Sequence, residues 1–285
     1  MTNSEIIRLA EESGFERVYF ADYTENGFKT LIFLLMPYRA ALPCPGEAVI
    51  SNYYPVSNLA YRQAKHIAEY IRGQGFQAES NLQIPLKPYL LKCKIGTMGR
   101  NSLVAVDGLG SRFHIQTIAT DAELERLYPA ALPVQLAERC LNCNICVKAC
   151  PTGALRGYME LDPGRCLRAV SEISPPPVRY RALLRNNLLG CDVCQDVCPV
   201  NAGLPKAAPF TVELGGLLRG DIATLRDKIG VNYARKKRLR LKAAVVAANL
   251  GRRELLPELE EMSLGSDSDE IEIAQWAINI LKERG

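Results

Sequence analysis

Eight of the ten cysteines in this 285-residue chain lie in one segment, between residues 140 and 198. The first run has the spacing C-x2-C-x2-C-x3-C-P and begins at Cys140. The second run has the spacing C-x2-C-x3-C-P and begins at Cys191. Closely spaced cysteines that end in a cysteine–proline pair are typical of ferredoxin-type [4Fe–4S] ligation. The segment therefore predicts two iron–sulfur clusters, which it buries in place of a large apolar core.

The same spacing predicts how the thiolates are shared between the clusters. In the ferredoxin pattern the fourth cysteine of a run ligates the other cluster. The second run lacks its first ligand at the usual distance, and Cys166 is the one cysteine left in the segment to supply it. The first predicted cluster takes Cys140, Cys143, Cys146 and Cys198, and the second takes Cys150, Cys166, Cys191 and Cys194.

Zinc and disulfides are the alternatives for these cysteines. Structural zinc sites use four-ligand groups such as paired C-x2-C motifs, and runs that end in x3-C-P fit them poorly. Disulfides require an oxidising compartment, but the N-terminus has neither the basic nor the apolar region of a signal peptide. The longest strongly apolar run, residues 31–36, is too short to span a bilayer. We therefore expect a cytoplasmic protein with reduced thiols and no membrane contact.

The apolar pattern predicts an α+β fold in three parts. Residues 1–130 form a mixed α/β domain, residues 131–205 hold the clusters, and residues 206–285 are helical and resemble one HEAT-type unit. In the first part the pattern predicts a helix at residues 6–10, a helix at 57–72, and strands at 17–23, 30–36, 102–106 and 113–119.

Charge is unevenly distributed, although the net charge is only +4. Residues 206–253 carry 12 Lys and Arg against 3 Asp and Glu, whereas residues 254–285 carry 2 against 9. The densest basic run is Arg235, Lys236, Lys237 and Arg238, followed by Arg240 and Lys242. This run predicts contact with an RNA phosphate backbone. The alternative is a solvated helix face that the acidic tail partly neutralises.

Three stretches of the chain resemble one known family. Residues 92–101 (KCKIGTMGRN) resemble its glycine-rich K-x-G-x-G-x-x-G-K-N loop, and residues 110–120 (GSRFHIQTIAT) resemble its G-S strand. Residues 140–201 match its cluster segment closely. In these stretches the chain resembles the epoxyqueuosine reductases, cobalamin-dependent enzymes with two [4Fe–4S] clusters that perform the last step of queuosine synthesis on tRNA. That family is related to the reductive dehalogenases.

The resemblance implies a nitroreductase-like, cobalamin-binding N-terminal domain, a ferredoxin-like double-cluster domain and a short HEAT-like C-terminus. It also implies tRNA as a partner and an external low-potential electron donor. Glycine permits close approach of the backbone to a ligand, so the glycine-rich loop predicts cobalamin contacts. An ordinary turn between strands is the alternative. The predicted cobalamin-binding residues are Gly96, Gly99, Arg100, Asn101, Ser111 and Phe113.

The chain also departs from the family's pattern. Family members are usually longer, and they carry an acidic residue, in a V-D-[ST]-x-P motif, that is thought to donate a proton to the substrate. Counting back from the glycine-rich loop places Ser80 at that position, with Glu79 beside it as a substitute. The family's R-x-x-D-Y-H segment is absent around residues 52–55. The catalytic residue and the substrate are therefore left open.

Other reactive or aromatic side chains carry weaker signals. His66 and His114 are expected to be solvated or hydrogen-bonded rather than to contact a cofactor, and Cys44 and Cys93 to be free thiols. Tyr53, Tyr54 and Tyr61 either line a pocket or pack. Three functions remain: a corrinoid-using reductase, an electron-transfer protein without its own catalytic centre, and an RNA-binding module with structural clusters.

Overall fold

The apolar run at residues 31–36 forms one of the two inner strands of an antiparallel sheet. In this computed structural model, which describes residues 1–128 and 140–283, the N-terminal part contains α1 (Asn3–Glu12), β1 (Arg17–Asp22), β2 (Thr30–Pro37), β3 (Ala40–Ala41), β4 (Ala48–Ile50), α2 (Tyr53–Gly73), β5 (Ala78–Ser80), α3 (Leu86–Lys92), β6 (Thr97–Met98), β7 (Val104–Ala105) and β8 (Phe113–Thr120). The boundary predicted between residues 130 and 131 lies outside the described residues.

The sheet has the strand order β1-β2-β8-β5, and every neighbouring pair is antiparallel. Strand β2 is apolar throughout because both faces of the sheet are covered. Ile32, Leu34 and Met36 pack in a core with α1 and α2. Leu31, Phe33 and Leu35 pack on the other face, in a core with α3 and residues 95–109. The strands predicted at residues 17–23, 30–36 and 113–119 are thus confirmed.

The helix starts follow from local chemistry. The first helix begins with a capping box, in which Thr2 and Glu5 each accept a backbone N–H of the other. The second begins at Tyr53, four residues before its predicted start. Pro55 does not prevent this, because the N–H groups of a helix's first turn have no intrahelical partner.

The strand predicted at residues 102–106 is shorter than expected and has a different partner. It contains only β7, which pairs with β6 in a separate two-stranded sheet. One isolated bridge, Val106 to Gly110, closes the turn that follows. Strand β8 then inserts between β2 and β5 because its buried residues, among them Ile118 and Ala119, complete the two cores of the main sheet.

The remaining elements contain the cysteines and the C-terminal helices. They are α4 (Ile145–Ala149), β9 (Leu155–Gly157), β10 (Glu160–Leu161), α5 (Leu167–Val170), α6 (Val178–Arg181), β11 (Asn187–Leu189), α7 (Val193–Asp196), β12 (Lys206–Ala207), β13 (Phe210–Val212), α8 (Leu214–Arg219), α9 (Ala223–Ile229), α10 (Lys236–Leu250), α11 (Leu256–Ser263) and α12 (Ser268–Glu283). Helices α8 to α12 lie in the part that is predicted to be helical, and α10 ends at its C-terminal cap, Gly251. The segment 206–212 forms strands instead of helix.

Short strands join the three parts of the chain. Strand β4 pairs with β11 on one side and with β13 on the other, so one sheet contains residues from all three predicted domains. A shared core extends from Ile50 and Tyr54 through Leu188 to the C-terminal helices. These contacts hold the cysteine segment between the N-terminal sheet and the C-terminal helices. Within the described part of the chain, no helix has both the length and the apolarity to cross a membrane.

We expect the substitution Phe33→Ala to lower the free energy of unfolding by about 3–5 kcal/mol, because it leaves a cavity in a fully buried strand. Leu264→Ala is the control: Leu264 is 86% exposed, and its loss should change stability by less than about 0.5 kcal/mol. Urea unfolding followed by circular dichroism measures both. Equal midpoints for the two variants would contradict the packing described here.

Candidate iron–sulfur centre and adjoining cavity

The eight clustered cysteines surround two separate cavities, four to each. Cys140, Cys143, Cys146 and Cys198 line the first, which has a volume of about 50 Å³. Cys150, Cys166, Cys191 and Cys194 line the second, which has a volume of about 440 Å³. This is the grouping that the spacing predicts. The cavities adjoin, since Asn101, Leu103 and Ser111 line both.

Helix α4 holds the two groups together. Cys146, of the first group, lies within it, and Cys150, of the second, is its C-terminal cap. The short helix α7 contacts α4 and carries Cys194, while Cys198 follows it and joins the first group. One pair of helices therefore supplies ligand candidates to both groups, as the exchange of the fourth cysteine requires.

Burial controls the ionisation of the second group. It raises the pKa of Cys191 to about 11 and that of Cys194 to about 12. Cys150 differs: burial raises its pKa, but hydrogen bonds from Thr152 and from nearby backbone N–H groups outweigh burial and lower it. Buried thiols of high pKa become thiolates when a metal compensates the charge. The donor set therefore suits a metal cluster.

The placement of the thiols bears on the choice between clusters and zinc. Among the described residues, no three His, Cys, Asp or Glu side chains are arranged to hold a single metal ion. Tetrahedral zinc requires four donors around one centre at about 2.0–2.3 Å. The arrangement therefore favours clusters over zinc, the alternative considered from sequence.

The glycine-rich loop lies against the first cysteine group. Arg100 donates hydrogen bonds from Nε to the Cys140 carbonyl at 3.2 Å and from Nη2 to the Leu141 carbonyl at 2.7 Å. A Cβ atom on Gly96 would lie 2.6 Å from the Ala105 carbonyl oxygen, so this glycine permits close packing of β6 against β7. Gly99, Arg100 and Asn101 line the first cavity.

A polar clamp joins the start of β8 to the second cysteine run. The backbone N–H of Ser111 donates to Asn201 Oδ1 at 2.8 Å, and Asn201 Nδ2 donates to the Gln195 carbonyl at 2.9 Å. A Cβ atom on Gly110, whose φ is +60°, would lie 2.3 Å from Asn201 Oδ1. The G-S pair of the family motif thus has a structural role here, because it positions the loop that carries Cys198.

An ion pair reinforces this clamp. Arg112, only 3% exposed, donates to Asp196 at 2.5 Å. Burial raises the pKa of Asp196, and the Arg112 charge opposes that shift. Ser111 and Phe113, two of the residues predicted to contact cobalamin, therefore flank a side chain that anchors helix α7.

A wall of polar and aromatic side chains lines the second cavity together with its cysteines. It consists of Tyr38, Tyr53, His114 and Arg168, with Phe113 beside them. Arg168 stacks on Tyr53, its guanidinium carbon 3.9 Å from the ring centroid. Tyr38 and Arg168 belong to no sequence motif, so only the fold identifies them. Tyr53 lines the cavity, Tyr54 is fully buried and packs, and Tyr61 is exposed.

The other candidate residues lie elsewhere. Glu79 and Ser80 are on the edge strand β5, where Ser80 pairs with Ile118, four residues along β8 from His114. At about 3.3 Å per residue this separates them by roughly 13 Å of strand. Neither is among the described residues that line the two cavities. His66 is exposed near Glu69, and Cys44 and Cys93 lie outside both cysteine groups.

Two side chains of the basic run, Lys237 and Arg240, pair with the acidic tail. Lys237 contacts Asp267 at 2.8 Å and Asp269 at 2.7 Å, and Arg240 contacts Glu270 at 2.6 Å. Arg235 and Lys236 are exposed, and Arg238 is half-buried. Lys242 is fully buried and donates to the Val170 carbonyl at 3.0 Å, so it is unable to contact RNA.

Comparison with known proteins agrees with this geometry. Residues 139–201 match the family model described as "4Fe-4S double cluster binding domain". The chain is 38% identical to the epoxyqueuosine reductase of Listeria monocytogenes over 110 residues, which are 38% of this chain and 27% of that protein. The corresponding protein of Shewanella oneidensis is 36% identical over 129 residues, 45% of this chain and 30% of that protein. The chain is a relative of the epoxyqueuosine reductases.

A third relative is matched over most of its length. It is the uncharacterized protein in the gldA 3′ region of Geobacillus stearothermophilus, 32% identical over 166 residues, 53% of this chain and 76% of that protein. The chain therefore belongs to the same family as that protein. By contrast, the match covers less than a third of the length of the Listeria and Shewanella enzymes.

Solved structures show that the fold is shared over nearly the whole chain. The structure of epoxyqueuosine reductase from Streptococcus thermophilus has a TM-score of 0.81 at 19% identity and covers 99% of this chain and 90% of its own. The structure of an epoxyqueuosine reductase with an epoxyqueuosine-modified tRNA stem loop has a TM-score of 0.75 at 18% identity and covers 98% of this chain and 89% of its own. A reductive dehalogenase has a TM-score of 0.53 at 19% identity and covers 85% and 35%.

We expect Gly110→Ala to reduce the iron and sulfide bound per chain, because the added methyl group displaces Asn201 and the loop that carries Cys198. Gly27→Ala is the matched control. Gly27 also has a positive φ, +81°, but a Cβ atom there meets nothing within 4 Å. Both variants place a side chain at a positive φ, so a difference in iron content reports the clamp. Equal iron contents would contradict the clamp's role.

Proposed function

We propose that the chain is a reductase that passes electrons from an external low-potential donor, through two [4Fe–4S] clusters, to a bound corrinoid and so to a substrate. One observation carries the proposal. The second cysteine group opens on the same 440 Å³ cavity as the wall of Tyr53, His114 and Arg168. Redox ligands and groups able to bind or protonate a substrate therefore face one space.

In this proposal the two cysteine groups hold one cluster each. Such clusters supply one-electron transfer at low potential, and a corrinoid supplies a strongly reducing metal centre. The chain keeps the two groups close through α4, which connects Cys146 to Cys150. It also limits water around the second group, because Leu167 and Val170 beside Cys166 are buried.

The three predicted parts have distinct tasks in this proposal. Residues 1–130 form the nitroreductase-like part that binds the corrinoid, residues 131–205 form the ferredoxin-like part, and residues 206–285 form the HEAT-like part. The shared sheet of β4, β11 and β13 supports a fixed arrangement of the three.

The second cavity has the size and lining of a ligand site. Its volume lies within the range of about 300–1,000 Å³ usual for such pockets. Asn101, Ser111 and Phe113 line it and are the predicted cobalamin contacts that we retain there. Gly99 and Arg100 line the first cavity instead, and Gly96 packs against β7.

We further propose that the substrate is carried on RNA. A structural relative is described with a tRNA stem loop, and this chain shares its fold. Arg235 and Lys236 are exposed at the start of α10 and are available to neutralise phosphates. Lys237 already contacts Asp267 and Asp269, so we assign it no such role.

The position of β5 favours a second candidate, an electron-transfer protein that reduces a partner or its corrinoid. Glu79 and Ser80 lie away from the second cavity, and the described residues that line it include no Asp or Glu. Such a protein needs the two clusters but no substrate-protonating group of its own.

The first experiment is anaerobic purification, addition of hydroxocobalamin, and gel filtration with iron and sulfide analysis. The reductase proposal predicts about eight irons per chain and a stoichiometric corrinoid band in the visible spectrum that coelutes with the protein. Phe113→Ala should weaken retention of the corrinoid, whereas Leu264→Ala, on the exposed surface, should not.

The same experiment separates the two candidates. About eight irons with no retained corrinoid would contradict the reductase proposal and support electron transfer to a partner. An iron content well below this value would contradict both candidates.

The RNA proposal predicts a specific salt dependence. In the double variant Arg235→Ala/Lys236→Ala, the slope of log Kd against log salt for a tRNA stem loop should fall by about 2, if each side chain neutralises one phosphate. Arg8→Ala, on α1, is the control for loss of surface charge. A slope unchanged in the double variant would contradict RNA contact at this site.

A further inference from the structure

Two side chains of the cavity wall, distant in sequence, form one hydrogen-bonded unit. Tyr53 begins helix α2 and His114 lies on β8, and the Tyr53 hydroxyl is 3.0 Å from His114 Nδ1. On the other side of the ring, Gln116 Nε2 is 2.9 Å from His114 Nε2. Tyr53 and His114 both line the cavity that contains the second cysteine group.

The direction of these hydrogen bonds follows from the chemistry of the groups. An amide nitrogen is a donor, so His114 Nε2 accepts from Gln116. Burial, with a contribution from the Arg168 charge, lowers the pKa of His114 to about 4, so the ring is neutral at physiological pH. Its single proton is then on Nδ1, and this N–H donates to the Tyr53 oxygen.

The proton of the Tyr53 hydroxyl is consequently free to point into the cavity. Within the part of the chain that the structure describes, His114 is the hydrogen-bond partner of this hydroxyl. If the proton leaves, the His114 N–H stabilises the resulting oxyanion. The Arg168 guanidinium, 3.9 Å from the ring centroid, adds a positive charge on the ring face.

Tyr38 lines the same cavity but is less suited to release a proton. It is 5% exposed, and its hydroxyl accepts a hydrogen bond from Gln195 Nε2 at 2.6 Å. Burial, with a contribution from the Asp192 charge, raises the pKa of Tyr38 well above its usual value. Lys87, also on the lining, donates to the Ser102 carbonyl at 2.8 Å.

We propose that Tyr53 is the proton donor of this cavity and serves a substrate whose C–O bond is reduced, with His114 as its positioning residue. The proposal rests on the proposed reductase function. It assigns to α2 the task for which the sequence comparison offered Ser80 or Glu79 on β5.

An epoxide is one such substrate. Two electrons from the external low-potential donor and two protons convert the epoxide to an alkene and water. As a C–O bond breaks, its electron pair stays on oxygen. The O–H bond of Tyr53 breaks and an O–H bond forms on the substrate oxygen. Solvent supplies the second proton and then restores the Tyr53 hydroxyl.

The hydrogen-bond direction can be measured without turnover. The chain has only two histidines, so ¹⁵N-histidine labelling of the cluster-loaded, oxidised protein gives two ring systems. The His114→Asn variant assigns the signals. We expect the His114 ring to be neutral and protonated on Nδ1 from about pH 8 to about pH 5. Protonation on Nε2 would overturn the proposal, since Tyr53 would then donate into the ring.

Turnover tests the role of Tyr53 itself. The probe is the epoxyqueuosine-modified tRNA stem loop, with corrinoid bound and a low-potential chemical reductant. We expect Tyr53→Phe to lower kcat by about 100-fold or more, while iron content, corrinoid retention and stem-loop affinity stay near those of the wild type. Tyr61→Phe is the matched control, because Tyr61 is an exposed tyrosine of the same helix.

The outcomes separate the two levels of the proposal. An active wild type with an equally active Tyr53→Phe variant overturns the proton-donor role alone. A cluster-loaded, corrinoid-bound wild type that leaves the stem loop unreduced overturns both the proposed substrate and this role. A loss of kcat in Tyr53→Phe that is accompanied by loss of iron would indicate a structural effect and also counts against the proposal.

Discussion

The exchange of cysteines between two adjoining groups is the constraint on which the rest of the structure depends. Cys150 of the first run lines the cavity of the second group, and Cys198 of the second run lines the cavity of the first group. Neither group is therefore complete unless both runs pack against each other. The elements that carry them are short: α4 has five residues and α7 has four. Helices of this length are not stable alone. Contacts to the flanking parts of the chain therefore fix their position.

Those contacts give a structural role to residues that the sequence predicts to bind a cofactor, or that lie next to such residues. Gly110 and Ser111 hold Asn201, Arg112 pairs with Asp196, and Arg100 binds the carbonyls of the first cysteine loop. Each connects the N-terminal sheet to a cysteine run. A shared sequence motif at these positions is therefore accounted for by the assembly of the iron–sulfur segment, whether or not the same residues touch a corrin.

The sequence predicts most of what is local. Spacing alone groups the cysteines as the cavities do, and the apolar pattern predicts β2 and the first helix. Pairings between distant residues have no such signal. Strand β4 joins strands from two other segments, and the wall of the second cavity combines β8, the start of α2 and α5. No periodicity indicates that Tyr53, His114 and Arg168 meet.

The charge of a sequence segment also does not predict which of its charged side chains stay exposed in the fold. Counted along the chain, the run at residues 235–242 is strongly basic, but the fold places the acidic start of α12 beside it. Lys242 is removed from solvent altogether. Only part of the run remains for a polyanion. The attraction to RNA thus depends on a few exposed side chains instead of on the net charge of the segment.

The distance between β5 and the second cavity bears on which residue can donate a proton there. A proton donor must reach the reacting atom, and an edge-strand residue roughly 13 Å along the sheet is too far to do so without a loop movement. Tyr53 lies at an N-terminus of a long helix whose buried face is fixed against the main sheet. A donor held in this way loses little entropy on meeting a substrate. In the proposal, a phenol at the start of this helix takes the place of the family's carboxylic acid and offers the substrate one fixed orientation.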